Sequence, residues 1–249
     1  MPPAIRGLWL GRRDYSSVYR LQCELHALRR DERIGDTVVL VEHDPVITLG
    51  RGGRLQHLLA STARLQELGI ELVHTDRGGD ITLHAPGQLV CYPILKLPPE
   101  RRDVRRYVHD ITESMRRLAA LFSVDAGTVT GLVGLWVDQA SPGAWPGERH
   151  AHRLAKLGAL GVRLSRWVSM HGFAFNLTTD LAYYSLIVPC GIRKHPVTSI
   201  HQLTSQTPTV RAAAELAYAC LAQVFDADAE RLQDASSNEL AQLSSQLGR

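Results

Sequence analysis

Apolar residues recur at three- and four-residue steps in separate stretches of the chain and crowd into short strand-like runs between them. Tyr15, Val18, Leu21, Leu25 and Leu28 follow Asp14 and Ser16, either of which caps well, and predict an amphipathic helix over about 15–30. Val104, Tyr107, Val108, Ile111, Met115, Leu118, Ala119 and Phe122 form the clearest helical stripe, that of a core helix packed on a sheet. A small helix near 62–68 ends at Gly69, and a last one, about 208–224, starts at Pro208 and carries Val210, Ala214, Leu216, Ala217, Leu221 and Val224. Strand patterns cover 37–42 and 46–49, broken by His43-Asp44-Pro45, and then 71–74, 128–130 and 132–137. Two more, 154–160 and 167–177, are joined by a Gly-Val-Arg-Leu-Ser turn. Residues 141–148, Ser-Pro-Gly-Ala-Trp-Pro-Gly-Glu, read as a loop.

Strands and helices are interspersed and several strands are hairpin-linked. The expected class is therefore α/β (α+β), a mixed β-sheet with flanking helices rather than a purely parallel sheet. The 249 residues are read as a single domain over 1–225, followed by a polar 226–249 segment that is a tail or a weak helix. Hydrophobic residues at 45% and charged ones at 21% are ordinary globular values. The first residues lack the apolar core of a signal peptide, and no run reaches the ~20 apolar residues of a membrane span, so the expectation is a cytoplasmic protein with no membrane partner. A net charge of +3 and 6% aromatics give neither a phosphate track nor stacking platforms, which argues against nucleic acid. Arg29, Arg30 and Arg33, and again Arg101, Arg102, Arg105 and Arg106, form local clusters that are solvated faces or steer an acidic partner.

Residues 77–93, Arg-Gly-Gly-Asp-Ile-Thr-Leu-His-Ala-Pro-Gly-Gln-Leu-Val-Cys-Tyr-Pro, read as a hairpin. Strands through Ile81, Leu83, Leu89, Val90 and Tyr92 flank an Ala-Pro-Gly turn. His84 and Gln88 beside that turn suit a ligand pocket, while the local residues leave a plain structural hairpin equally open.

Four cysteines, at 23, 91, 190 and 220, form no CxxC pair, so neither zinc nor a disulfide framework is suggested. Cys23 and Cys220 fall in helical patterns and Cys91 in a strand, where a small buried thiol is the ordinary explanation. Cys190 differs, because Pro189 and Gly191 hold it in a turn; a reactive thiol and a buried one both remain open there. A reactive cysteine needs a nearby cation, and Lys156, isolated in Leu-Ala-Lys-Leu-Gly-Ala-Leu-Gly-Val, is the candidate, with snorkelling to water as its alternative. His43, His84, His171 and His195 make no metal spacing, so no metal is assigned; any of them fits as a group orienting a substrate, with His195 expected at the surface.

Taken together, Arg77–Gln88, Lys156–Arg163, Trp167–Asn176 and Pro189–Ile192 closely resemble the lipoyl(octanoyl) transferases, the octanoyl-[acyl-carrier-protein]:protein N-octanoyltransferases. Glu42–Arg51 and Val197–Ile200 look similar too, so the resemblance spans about 37–200 in the family's order. It implies the fold of biotin and lipoate protein ligases and an acyltransferase without metal or cofactor, working by a cysteine thioester intermediate. The positions matching the family's catalytic pair are Cys190 and Lys156. Those matching its acyl-binding residues are Arg77, Gly78, Gly79, Asp80, Ile81, Thr82, Leu83 and His84, then Ala159, Leu160 and Gly161, and finally Gly172, Phe173 and Ala174. Its partners are octanoyl-acyl carrier protein and the apo lipoyl domains of 2-oxoacid dehydrogenase complexes and the glycine cleavage H protein. Both are small acidic domains, which would give the arginine clusters a docking role.

The chemistry fits these residues. Thiolate attack on an acyl thioester exchanges one thioester for another at little free-energy cost and needs no ATP. Transfer to an acceptor lysine, with a solution pKa of about 10.4, requires its deprotonation, for which neutral Lys156 is suited. Backbone N–H groups beside Gly78, Gly79 or Gly191 are the candidates to hold the oxyanion. The rival readings are an ATP-dependent lipoate ligase of the same fold and a non-catalytic acyl- or lipoyl-domain-binding module. The chain lacks the Gly-Arg-Gly-Arg-x-Gly type of loop typical of biotin ligases.

Overall fold

The computed structural model describes residues 4–235. In chain order its main elements are β1 (Ala4–Arg13), α1 (Tyr15–Arg30), β2 (Asp36–His43), β3 (Val46–Leu49), α2 (Thr62–Glu67), β4 (Glu71–His74), β5 (Ile81–His84) and β6 (Gln88–Ile94). There follow α3 (Val104–Leu121), β7 (Gly127–Val129), β8 (Leu132–Asp138), β9 (Leu154–Ser165), β10 (Val168–Asn176), α4 (Ile200–Thr204), α5 (Val210–Val224), β11 (Asp228–Ala229) and β12 (Gln233–Asp234). The large sheet runs β11-β1-β2-β6-β10-β9-β8-β7, with β12 also on β1, and a small sheet runs β4-β3-β5. Parallel β1–β2 and antiparallel β2–β6 pairings make the large sheet mixed, as the interspersed pattern predicts.

Both faces of the large sheet are covered. Val38, Leu40, Leu89 and Cys91 pack with α3 and α5 on one face, while their neighbours Val39, Val41, Val90 and Tyr92 pack with α1 on the other. Period-two alternation with apolar residues at every position is the signature of a strand buried on both sides. The helices start where side chains satisfy their first N–H groups: Asp14 accepts from Ser17 in α1, Asp103 from Arg105 and Arg106 in α3, and Thr209 from Ala212 in α5. Val104 and Leu216, counted in the apolar stripes, are exposed instead. No helix among the described residues is long and apolar enough to cross a membrane.

The expected hairpin at 77–93 does not form. β5 pairs with β3 in the small sheet and β6 with β2 and β10 in the large one, so Ala85-Pro86-Gly87 hands the chain from one sheet to the other. A side-chain acceptor on β2 holds the hand-over, since Glu42 Oε1 takes the Gly87 N–H at 2.7 Å. The true hairpin joins β9 to β10. Residues 161–165, expected as its turn, are strand, and the reversal falls at Arg166 and Trp167, both with φ in the left-handed region.

Two more elements were not foreseen, the interior strand β1 and the short helix α4. The segment after residue 225 contributes β11 and β12 to the sheet edge beside β1. The part of the expected tail from residue 236 onward lies outside the described residues.

Candidate active site

Lys156 and Cys190 meet. On β9, Ala155 and Leu157 point into the α3/α5 core, so alternation turns Lys156 to the opposite face. Its backbone is fixed on both sides, by pairing with Trp136 on β8 and by two hydrogen bonds of 2.9 Å to Pro196 O and from Thr198 N. The side chain is only 4% exposed, so it does not snorkel. Its Nζ lies 3.2 Å from Cys190 Sγ, within hydrogen-bond reach, and 5.3 Å from the centre of the Trp136 ring, within cation–π reach. Gly134 makes the path possible. Its φ of +135° suits glycine, and a Cβ there would stand 2.6 Å from Lys156 Cε.

Cys190 occupies the short turn Pro189–Gly191 with φ 53° and ψ 21°, a left-handed conformation that costs a non-glycine residue roughly 1–2 kcal/mol. It stands where two cavities join. The inner one is a small pocket with a mostly apolar lining. Val90, Leu160, Phe173 and Ala174 line its walls, and Tyr15, His84, Tyr92 and His171 add polar tips. The outer one is an open cleft between the Gly78-Gly79-Asp80 segment and Gly131-Leu132-Val133. Both cavities share Arg77, Leu160, Gly161 and Cys190.

Arg77 is buried, with its donors spent on neutral oxygens: Nη2 donates to Thr48 O at 2.8 Å and to Asp80 O at 2.6 Å, and Nε to Thr48 Oγ1 at 3.1 Å. Among the described residues no carboxylate lies within ion-pair distance of it. Its charge is therefore directed at the site, although burial lowers its pKa from the usual arginine value.

The histidines beside the inner cavity are neutral. Desolvation lowers His43 to about 4, His84 to about 3 and His171 to about 4. Their partners fix the tautomers: His84 Nδ1–H donates to Gln88 Oε1 at 2.7 Å, and His43 Nδ1–H donates to Arg13 O while its Nε2 accepts from the Tyr92 hydroxyl at 2.9 Å. His171 donates from Nε2 to Asp76 at 2.7 Å, and its buried Nδ1 has no protein partner. Tyr15 stacks on the His84 ring at 6.0 Å, closing the floor with aromatic surface.

The residues singled out in the sequence fall into three groups. Thr82, His84, Ala159, Gly172, Phe173 and Ala174 line the inner cavity, while Gly78, Gly79 and Asp80 line the outer cleft. Ile81 and Leu83, the alternate residues of β5, line neither and pack in the core of the small sheet. Two of the three candidate oxyanion donors are already engaged, since Gly78 N–H donates to Val162 O and Gly191 N–H to Val188 O, both at 3.0 Å. Cys91 and Cys220 are buried as expected, but Cys23 is exposed, because α1 turns it away from the sheet. His195, expected at the surface, is half-buried with its ring edge-on to Trp136 at 5.7 Å. Of the arginine clusters, Arg29 is tied to Asp36 and Arg101 to Asp110 and Asp226.

Sequence reasoning missed Tyr15, Tyr92, Trp136 and Gly134. Gly134 carried a readable signal, since a glycine inside a strand pattern marks a close approach. Tyr15 and Tyr92 looked like any apolar position of a helix or strand.

Known proteins resemble this chain in sequence and in fold. Residues 14–222 match the lipoyl protein ligase A/B catalytic domain. An octanoyltransferase of Solibacter usitatus is 45% identical over 78% of this chain and 81% of its own length, and one of Chloroflexus aurantiacus is 42% identical over 87% and 92%. A Myxococcus xanthus octanoyltransferase is 41% identical over 88% of this chain, which spans only 59% of that longer relative. Among solved structures, a bipartite lipoate protein ligase from Thermoplasma acidophilum superposes with a TM-score of 0.71 at 13% identity, covering 98% of this chain and 92% of that one. A lipoate-protein ligase A bound with ATP gives a TM-score of 0.68 at 13% identity, covering 99% and 94%. These two show the shared fold. The chain belongs to the octanoyltransferases of the lipoyl protein ligase A/B catalytic-domain family.

Proposed function

We propose that this chain is a cytoplasmic acyltransferase that moves an octanoyl group from acyl carrier protein to a lysine of apo lipoyl domains, those of 2-oxoacid dehydrogenase complexes and the glycine cleavage H protein. The observation that carries the reading is the Lys156 Nζ to Cys190 Sγ contact of 3.2 Å at the junction of two cavities. The inner cavity takes the acyl chain, whose carbonyl then sits at the sulfur. The outer cleft admits the donor's thiol arm and afterwards the acceptor lysine.

Two steps follow. The Cys190 thiolate attacks the donor carbonyl, the donor C–S bond breaks, and the departing thiolate takes a proton from the Lys156 ammonium. Lys156, now neutral, removes a proton from the incoming lysine ammonium. The free amine attacks the Cys190 thioester, the C–S bond breaks with the sulfur leaving as thiolate, and the second amine proton passes to solvent as the amide forms, which restores the thiolate and ammonium pair. Thioester is exchanged for thioester and then for a more stable amide, so no nucleotide is consumed. Arg77 keeps positive potential at the site throughout.

The test is a transfer assay with octanoyl-acyl carrier protein and an apo lipoyl domain, without ATP. Wild type transfers, and Cys190→Ser loses more than about 10³-fold of the rate, as removal of a nucleophile does. Transfer that needs ATP, or that survives in Cys190→Ser, contradicts the proposal.

A further inference from the structure

The turn that carries Cys190 has two consecutive left-handed residues, Cys190 at φ 53° and Gly191 at φ 72°. A non-glycine residue stays there only when its surroundings over-determine it. Those surroundings come largely from 54–60, a stretch with no assigned role in the sequence. Val188 N–H donates to His57 O at 2.7 Å, and Leu59 and Ala60 donate to Leu186 O at 2.8 and 3.1 Å, so this stretch runs as a backbone ladder along the approach to Cys190.

At the top of the ladder sits a side-chain pair. His57 Nδ1 is in tight contact with Asp80 Oδ2, and both side chains are nearly buried, at 12% and 13% exposure. Asp80 Oδ1 accepts two backbone N–H groups, from Arg54 at 2.9 Å and Ile81 at 2.8 Å, so the carboxylate pins the His57 turn to β5. This pair lies directly against Gly191. A Cβ at 191 would stand 3.0 Å from Asp80 Oδ2 and 3.0 Å from His57 Cε1.

We propose that His57, oriented by Asp80, is a positioning residue that buttresses the Cys190–Gly191 turn and so holds the sulfur against Lys156. The proposal rests on Cys190 being the nucleophile, and it gives Asp80 a task other than contact with the acyl group. Three features fit it together: the imidazole comes close to a residue without a side chain, its Nδ1–H is committed to the carboxylate, and the same histidine's carbonyl holds Val188, two residues before the sulfur. Losing the buttress frees the turn to leave the left-handed region without disturbing either cavity's walls.

The experiment compares wild type with His57→Ala and His57→Asn, because asparagine's Nδ2–H occupies the place of the imidazole Nδ1–H. Three quantities are read: the rate of Cys190 alkylation by iodoacetamide at pH 7, followed at the Cys190 peptide by mass; kcat and KM for octanoyl-acyl carrier protein; and the unfolding midpoint. In His57→Ala both alkylation and kcat are expected to fall about tenfold, the population penalty of an unsupported left-handed residue, with KM and the midpoint little changed. His57→Asn is expected to recover most of that loss. Alkylation and kcat within twofold of wild type in His57→Ala overturn the proposal, as does an Asn variant no better than Ala or a loss that only tracks a fallen midpoint. Alkylation is read whether or not octanoyl groups are transferred, so failure of the transferase reading leaves a different record from failure of this one.

Discussion

The two cavities that meet at Cys190 differ in what lines them. The inner one is walled by side chains of β5, β6, β9 and β10, among them His84 and His171, which burial keeps neutral. The outer one takes Gly52, Gly78, Gly79 and Gly131 into its lining beside apolar side chains such as Val108 and Ile192, and ends at the exposed Val133. A fixed side-chain wall measures a chain of constant length, whereas a cleft edged in part by glycines leaves room for two different partners to approach in turn. On the proposed function, specificity for the acyl group and exchange of partners fall to different ends of one sulfur.

Substitutions on each side separate these roles. The largest effect is expected at the junction itself: Lys156→Ala lowers octanoyl transfer by about 10²-fold or more, in keeping with loss of a positioned acid and base, and slows Cys190 alkylation at pH 7. Steady-state rates together with iodoacetamide labelling check both halves, and an unchanged labelling rate removes Lys156 from its role.

The inner cavity also makes the protein acid-sensitive. His43, His84 and His171 have folded-state pKa values lowered to about 4, 3 and 4, while in the unfolded chain they titrate near 6.5. Above 6.5 both states are neutral and nothing is lost. Below it the unfolded state binds protons that the folded state refuses, so stability falls as pH drops through 6.5 toward the folded values. Each histidine is expected to remove at most about 2 kcal/mol between pH 7 and pH 5, measured by urea unfolding. A profile flat over that range contradicts neutral burial of the floor.

The smallest effect concerns selectivity. Ala174→Leu intrudes on the inner cavity and is expected to shift the ratio of hexanoyl to octanoyl transfer by about tenfold, the scale at which a pocket discriminates a methylene. Because overpacking itself costs roughly 1–3 kcal/mol, the ratio of the two rates is the quantity to compare. An unchanged ratio places the chain end elsewhere.

Much of this was legible in the residues. Asp14 caps α1, Val18, Leu21 and Leu25 lie on its buried face as the helical period predicts, and Lys156 and Cys190 stood out both by their local residues and by the family resemblance. What the chain hid was non-local. β5 and β6 look like the arms of a hairpin, because each has a strand pattern and the Ala-Pro-Gly between them is turn chemistry, yet their partners, β3 for one and β2 and β10 for the other, lie far along the chain. Gly161 looked like the start of a turn. It is a strand position where Gly78 O would stand 2.5 Å from any added Cβ, and strand β9 runs on to Ser165. The support of the Cys190 turn by His57 was invisible for the same reason, since 133 residues separate the two and only the fold joins them.

The central claim is that the acyl group rests on Cys190 between its two partners. Intact-mass measurement after mixing with octanoyl-acyl carrier protein alone tests it most directly, followed by addition of apo lipoyl domain. The account predicts one octanoyl adduct mapped to Cys190, discharged to an amide on the lipoyl-domain lysine when the acceptor is added. An acylated lipoyl domain produced with no adduct on the enzyme, or an adduct on another residue that turns over, would contradict it.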